Sequence, residues 1–109
     1  MQPYLFQVSY TASAWAKQLK NPVNRIDTVK PVIEKAGGKI VSAYYAFGPT
    51  DLYVIAELPD NQSAAALSLA FASGEALSKC EVTPLMSTEA GLGAIRKGGE
   101  LTGVYKPPA

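Results

Sequence analysis

The chain has 109 residues, 48% of them apolar and 17% charged, which is one domain's worth of ordinary globular sequence. Ten basic against nine acidic side chains leave a net charge of +1, a balance that excludes the basic footprint of most DNA- or RNA-binding domains. With no histidine and one cysteine, Cys80, the serine–histidine triad, histidine-ligated haem, most zinc sites and an internal disulfide are excluded together. No apolar run approaches the roughly 20 residues of a membrane span. The opening MQPYLFQVSY lacks a basic region and a small-residue cleavage site, so no secretory signal is expected. A lone cysteine fits a reducing compartment, and the expectation is a cytoplasmic protein.

In chain order, residues 4–10 alternate large apolar side chains with smaller or polar ones, the period of a strand that carries Tyr4, Phe6, Val8 and Tyr10 on one face. Residues 11–20 read as a short helical connector containing Trp15. Asn21-Pro22 has the form of a helix cap followed by proline in the first turn. Ile26, Val29, Ile33 and Ala36 then make one helical stripe. Pro31 falls inside it and predicts a kink, or a first turn restarting near Thr28. Gly37-Gly38 ends the helix.

Residues 39–47 and 51–58 read as strands joined by a tight hairpin at Gly48-Pro49, and Pro59-Asp60-Asn61 as a stop followed by a cap. If the hairpin needs a strained glycine, Gly48→Val should cost about 1–3 kcal/mol. The alanine-rich helix over 62–73 carries two apolar stripes, Ala64/Leu67/Phe71 and Ala65/Leu69/Ala72, and closes at Gly74. A last strand over 76–85 and a short helix over 87–97 complete the pattern. The second stripe predicts a buried Leu69, covered by that last helix through Leu92 and Ile95 or by another subunit. One domain is expected over 1–98, with an extended tail over 99–109.

The order is βαββαβ plus an extra C-terminal helix. This is an α+β, ferredoxin-like antiparallel sheet with strands one and three central and the main helices on one face. Phe6, Val8, Val41, Ala43, Leu52, Val54, Ala56, Cys80 and Val82 are the expected core side. The other face carries Leu5, Gln7, Ser9, Ser42, Tyr44, Asp51, Tyr53, Ile55, Glu57, Lys79, Glu81 and Thr83. A symmetric hairpin sets Tyr44 opposite Tyr53. This face lacks the charge of a bare solvent surface, and its third strand has neither the basic residue nor the glycine of an RNA-reading sheet. It suits a second sheet, so a homo-oligomer with stacked sheets is expected, with no nucleic-acid or membrane partner.

The run Phe47-Gly48-Pro49-Thr50-Asp51 followed by an apolar strand ending in Glu57, then Pro59-Asp60 and a helix ending Ala72-Ser73-Gly74, resembles the GYD-domain family. The likeness extends back through Gly37-Gly38-Lys39 to the opening strand and covers about residues 4–90. Gly48 and Asp51 are kept, while Thr50 stands where the family's signature tyrosine is expected. The resemblance implies a dimeric α+β barrel and no particular reaction.

The chemistry-bearing residues are few. Asp51, Glu57 and Glu81 share a face, but a hairpin-capping aspartate and rim glutamates account for them without a cation. Tyr44 and Tyr53 form either an aromatic wall for a planar ligand or cross-strand packing inside an interface. Gln7 and Ser9 offer hydrogen bonds beside them. Trp15, with Tyr10 and Arg25, either lines a pocket mouth or fills space beneath the first loop. Cys80 faces the core without a basic neighbour, as an inert thiol does. No catalytic residue, metal or cofactor is assigned. Two functions fit: an oligomeric small-molecule-binding or interaction module, or a cofactor-independent monooxygenase- or isomerase-like enzyme using Tyr44, Tyr53 and Asp51, supported by fold analogy alone.

Overall fold

The computed structural model describes residues 1–109. Its elements are β1 (Gln2–Tyr10), α1 (Ala12–Lys20), α2 (Arg25–Lys35), β2 (Lys39–Tyr45), β3 (Leu52–Leu58), α3 (Asn61–Ser73), β4 (Leu77–Pro84) and α4 (Thr88–Leu101). The four strands form one open antiparallel sheet in the order β2-β3-β1-β4. This is the ferredoxin-like α+β arrangement, with β1 and β3 central. Alternation along those two strands makes the core: Tyr4, Phe6 and Val8 from β1, and Leu52, Val54, Ala56 and Leu58 from β3, are all buried. Ile33 of α2 and Ala64 and Leu67 of α3 close over them.

The second strand departs from simple alternation. The register slips between Ile40 and Ser42, so Val41 is an extra residue in the ladder. Ile40 and Ala43 then pair with Ala56 and Val54 on the core side, and Val41 is left 56% exposed. The expectation that Val41 belongs to the core is thereby corrected. Past the bulge the phase holds, and Tyr44 stands opposite Tyr53 as expected.

The helix boundaries have local causes. Asn24, not Asn21, caps α2, its side chain accepting from the Ile26 amide. The helix also runs unbroken through Pro31. Asp27 and Pro31 both lie on its solvent side, where water can satisfy the carbonyl that proline leaves without a donor. At the other end Gly37 takes φ +90°, and the amides of Gly38 and Gly37 return to the carbonyls of Ile33 and Glu34. This paired closure reverses the chain into β2. Gly38 is fixed by proximity: a β-carbon there would lie 2.4 Å from the Glu57 carbonyl oxygen and 2.5 Å from a Leu58 methyl. Asp60 caps α3 through the Ser63 amide, which also draws its carboxyl below the ordinary range. The left-handed residue after α3 is Glu75 rather than Gly74.

The β2–β3 hairpin does not depend on a strained glycine. Gly48 has no positive φ, and a side chain there would point into open space. The turn is instead tied from below: the Ser9 hydroxyl donates to the Pro49 carbonyl at 2.9 Å, and Lys79 Nζ donates to the buried Thr50 hydroxyl at 2.6 Å. The expected penalty for Gly48→Val is withdrawn on that geometry.

The last helix also differs from expectation. It continues past Lys97 through Gly98-Gly99 to Leu101, and it does not lie back on α3. The chain therefore measures 59 Å along its longest axis, with a radius of gyration of 17.5 Å, against about 13 Å for a compact domain of this length. Leu69 is 71% exposed and Ile95 72% exposed. The inner stripe of α3, Ala64 and Leu67 with Phe71, covers the sheet as expected, whereas no element of the chain covers the outer one.

These contacts distinguish two glycines that sequence alone does not. Gly38→Ala should destabilise by about 1–3 kcal/mol through overpacking against β3, while Gly48→Ala should stay within about 0.5 kcal/mol of the parent. Urea unfolding of the two variants checks the contrast, and equal midpoints would refute it.

Candidate functional site

The two main helices sit over opposite margins of the sheet, α2 against β2 and α3 against β4. Between them the central strands form the floor of a cleft of about 320 Å³. Phe6, Val8, Leu52 and Val54 are that floor, with Val29, Val32 and Ile33 on one wall and Ala70 and Phe71 on the other. Small groups at Ala70, Gly74 and Ala76 leave the space that larger side chains would fill. Twelve of the fifteen lining residues are hydrophobic, Tyr10 among them through its ring. The polar groups, Tyr10, Arg25 and Thr28, gather where β1 ends and α2 begins.

Arg25 is half-buried and makes no ion pair, the single pair in the structure being Lys39 with Glu57 at 3.3 Å. Its backbone amide donates to the Tyr45 hydroxyl at 3.1 Å, which leaves the guanidinium unengaged by that contact. Burial raises the pKa of the Tyr10 phenol, and a side-chain hydrogen bond with Arg25, together with the Arg25 charge, works against that rise. Tyr10 is therefore a neutral hydroxyl at pH 7, beside a cation.

A second local structure supports this end of the cleft. One carboxylate oxygen of Asp51 accepts from the Tyr10 amide at 2.9 Å and from the Trp15 indole N–H at 3.1 Å. The Trp15 ring meets Tyr10 edge-on, centroids 5.3 Å apart. Asp51 thus locks the end of β1, the start of α1 and the hairpin together. Its role is to position Tyr10, and it is not the Asx cap of the hairpin.

The residues singled out from sequence fall into three places. Gln7, Tyr44 and Tyr53 lie side by side on the open face, with Ser9 tied to the hairpin at one end and Glu57 paired with Lys39 at the other. Glu57 lies four positions along β3 from Tyr53, a span of about 13 Å. Asp51 and Trp15 form the lock, and Arg25 alone reaches the cleft. The open face is a surface without a comparable concavity. Asp51, Glu57 and Glu81 do not converge, and no cluster of three potential metal ligands occurs. Cys80 is half-buried, and burial raises its thiol pKa, so the nucleophilic thiolate is scarce at neutral pH.

Sequence reasoning gave most of its candidates to the open face, named Tyr10 and Arg25 at a possible pocket mouth, and did not identify the apolar lining of the cleft behind them. The usable signal was volume: Ala70 of α3, with Gly74 and Ala76 just beyond its end, puts small groups beside Phe71 over a floor that faces Thr28, Val29, Val32 and Ile33 of α2. The helices cannot close over that floor without larger side chains.

Comparison with known proteins adds one finding. The family model of the GYD domain matches residues 4–95. No curated protein matches the sequence. No helix is long and apolar enough to cross a membrane.

The Asp51 lock is open to a direct test, because Trp15 is the only tryptophan. Asp51→Ala leaves the indole and the Tyr10 amide without their acceptor and should cost about 1–3 kcal/mol. Trp15 emission should shift with it, and Asp51→Asn, which keeps an acceptor oxygen, should lose less. Thermal melts and tryptophan emission spectra of both variants check this ordering.

Proposed function

This chain belongs to the GYD-domain family, and on that premise we propose that it is the subunit of a homo-oligomer that binds a small apolar molecule between α2 and α3. The observation that carries the reading is the cleft. At about 320 Å³ it reaches the range of small-molecule sites, which are concave, mostly apolar and furnished with a few convergent polar groups. The open face offers no such concavity, so Tyr44 and Tyr53 are read as interface residues.

The assembly rests on what the single chain leaves uncovered. Tyr44 is 69% exposed beside half-buried Leu5, Tyr53 and Ile55 on one sheet face. An apolar patch of that kind marks an interaction surface in soluble proteins. The α4 helix adds a second argument. Gly91, Gly93, Gly98 and Gly99 lie within its fourteen residues, each costing about 1 kcal/mol relative to alanine. A helix so handicapped, with Leu92, Ile95 and Leu101 exposed, gains its stability from a partner surface. The enzymatic alternative draws nothing from the geometry, since Asp51 is bound in its lock and the two tyrosines face away from the cleft.

Two measurements test the reading. A neutral apolar fluorophore such as N-phenyl-1-naphthylamine should bind saturably with enhanced emission, and Ala70→Phe, which fills the cleft from the exposed side of α3, should abolish that enhancement. Sedimentation should give a mass above the 11.5 kDa monomer, with Ile55→Asp returning it to monomer while probe binding persists. A monomeric parent at micromolar concentration would sink the assembly, and a probe indifferent to Ala70→Phe would sink the cleft.

A further inference from the structure

Resting on the cleft reading above, we propose that the natural ligand is an amphipathic monoanion, a carboxylate with an aliphatic or aryl tail of medium length. Its head would sit at Arg25 and Tyr10, and its tail would lie along Phe6, Val54 and Phe71. Three observations carry this. The first is the separation of polarity: the floor and walls are hydrocarbon, and Tyr10, Arg25 and Thr28 lie together at one end. The chain leaves no buried side-chain polar atom without a partner, so the interior makes no polar demand on a ligand.

The second is charge. Arg25 lines the cleft without a carboxylate partner, and Asp51, the acid at this end of β1, already accepts from the Tyr10 amide and the Trp15 indole through one oxygen. A guanidinium presents paired donors that match a carboxylate's two oxygens. The neutral Tyr10 hydroxyl adds a third donor. A cationic head would meet the guanidinium repulsively, and a neutral head would forgo the charge-assisted contacts.

The third is size. At about 30 Å³ per water-sized heavy atom, a cleft of about 320 Å³ holds on the order of ten such atoms. An eight-carbon carboxylate has that many. Long-chain acids would run out through the open edge with part of the tail uncovered, and acetate-sized ones leave the hydrocarbon walls uncovered.

The experiment is displacement of the neutral fluorophore from the full-length protein by octanoate, 1-octanol and octylammonium. Octanoate should displace it at concentrations about tenfold or more below 1-octanol, with octylammonium weakest of the three. Measured against each variant's own fluorophore affinity, Arg25→Gln should bring the octanoate-to-1-octanol displacement ratio close to one, and Arg25→Lys should restore part of it. Circular dichroism melts confirm that both variants fold. Equal displacement by octanoate and 1-octanol from a cleft that still binds the fluorophore overturns the anion assignment and leaves the cleft reading standing. No fluorophore binding, with Ala70→Phe instead changing the oligomeric mass, means that a segment of a second copy occupies the cleft, and it overturns both.

Discussion

The approach of Gly38 to the β3 backbone is the constraint on which the helix layer depends. With a hydrogen in place of a side chain, the chain leaving α2 lies directly against the Glu57 carbonyl and the Leu58 side chain. That contact fixes the C-terminal end of α2 over the sheet margin, and Ile33, one turn back, is buried to 1%. Toward the other end the helix is held less closely: Val29, Ile26 and Arg25 are only half-buried. The helix is therefore pinned most closely at one end, and Arg25 stands at the other, where the side chains are only half-buried. The cleft follows from where α2 is anchored and from how small the facing residues of α3 are.

The two faces of the sheet are then set for different work by the same alternation. On one side the central strands present Phe6, Val8, Leu52 and Val54 to the helices and the cleft. On the other they present Gln7, Tyr53 and Ile55, a surface neither charged enough for open solvent nor concave enough to hold a small molecule. Asp51 sits at the junction. By accepting from the Tyr10 amide and the Trp15 indole, it fixes the end of β1 where the strand passes from the sheet to the cleft mouth. A residue that reads in sequence as part of a turn thus acts as a positioning group for the phenol beside Arg25.

The fold was legible in the sequence because it rests on period and punctuation. Alternation in residues 4–10 and 52–58, the stripe through Ile26, Val29 and Ile33, and the stops at Gly37-Gly38 and Pro59-Asp60 all act locally, and the structure keeps them. Errors arose where the cause was not local. The bulge at Val41 is visible only in the pairing of two strands. The hairpin is held by Ser9 and Lys79 from two other strands, so Gly48 looked more important than it is. That α4 does not cover Leu69 depends on its leaving the domain, which neither helix's own pattern encodes, and cover by another subunit is the alternative left to the outer stripe. The cleft depends on volume between elements far apart in the chain, and no motif announces a missing side chain.

The energetics of that missing volume show why the opening at Arg25 matters. At about 24 cal/mol per Å³, a sealed void of the size of this cleft, about 320 Å³, would cost on the order of 8 kcal/mol. That is comparable with the whole stability of a domain this small, so a closed and dry interior of that size is not sustainable. The structure meets the difficulty by leaving the space open along its edge: Thr28 is exposed, Val32 is 40% exposed, and Arg25 is half-buried at the mouth. Solvent reaches apolar walls there, which relieves the void penalty at the expense of wetting hydrocarbon. A hydrocarbon tail that displaced this solvent would regain roughly 25 cal/mol for each Å² of apolar surface it covered, and on the proposed reading the guanidinium at the rim would set which end faces outward. The same residues that make the helix layer incomplete therefore leave it both an apolar wall and a polar end.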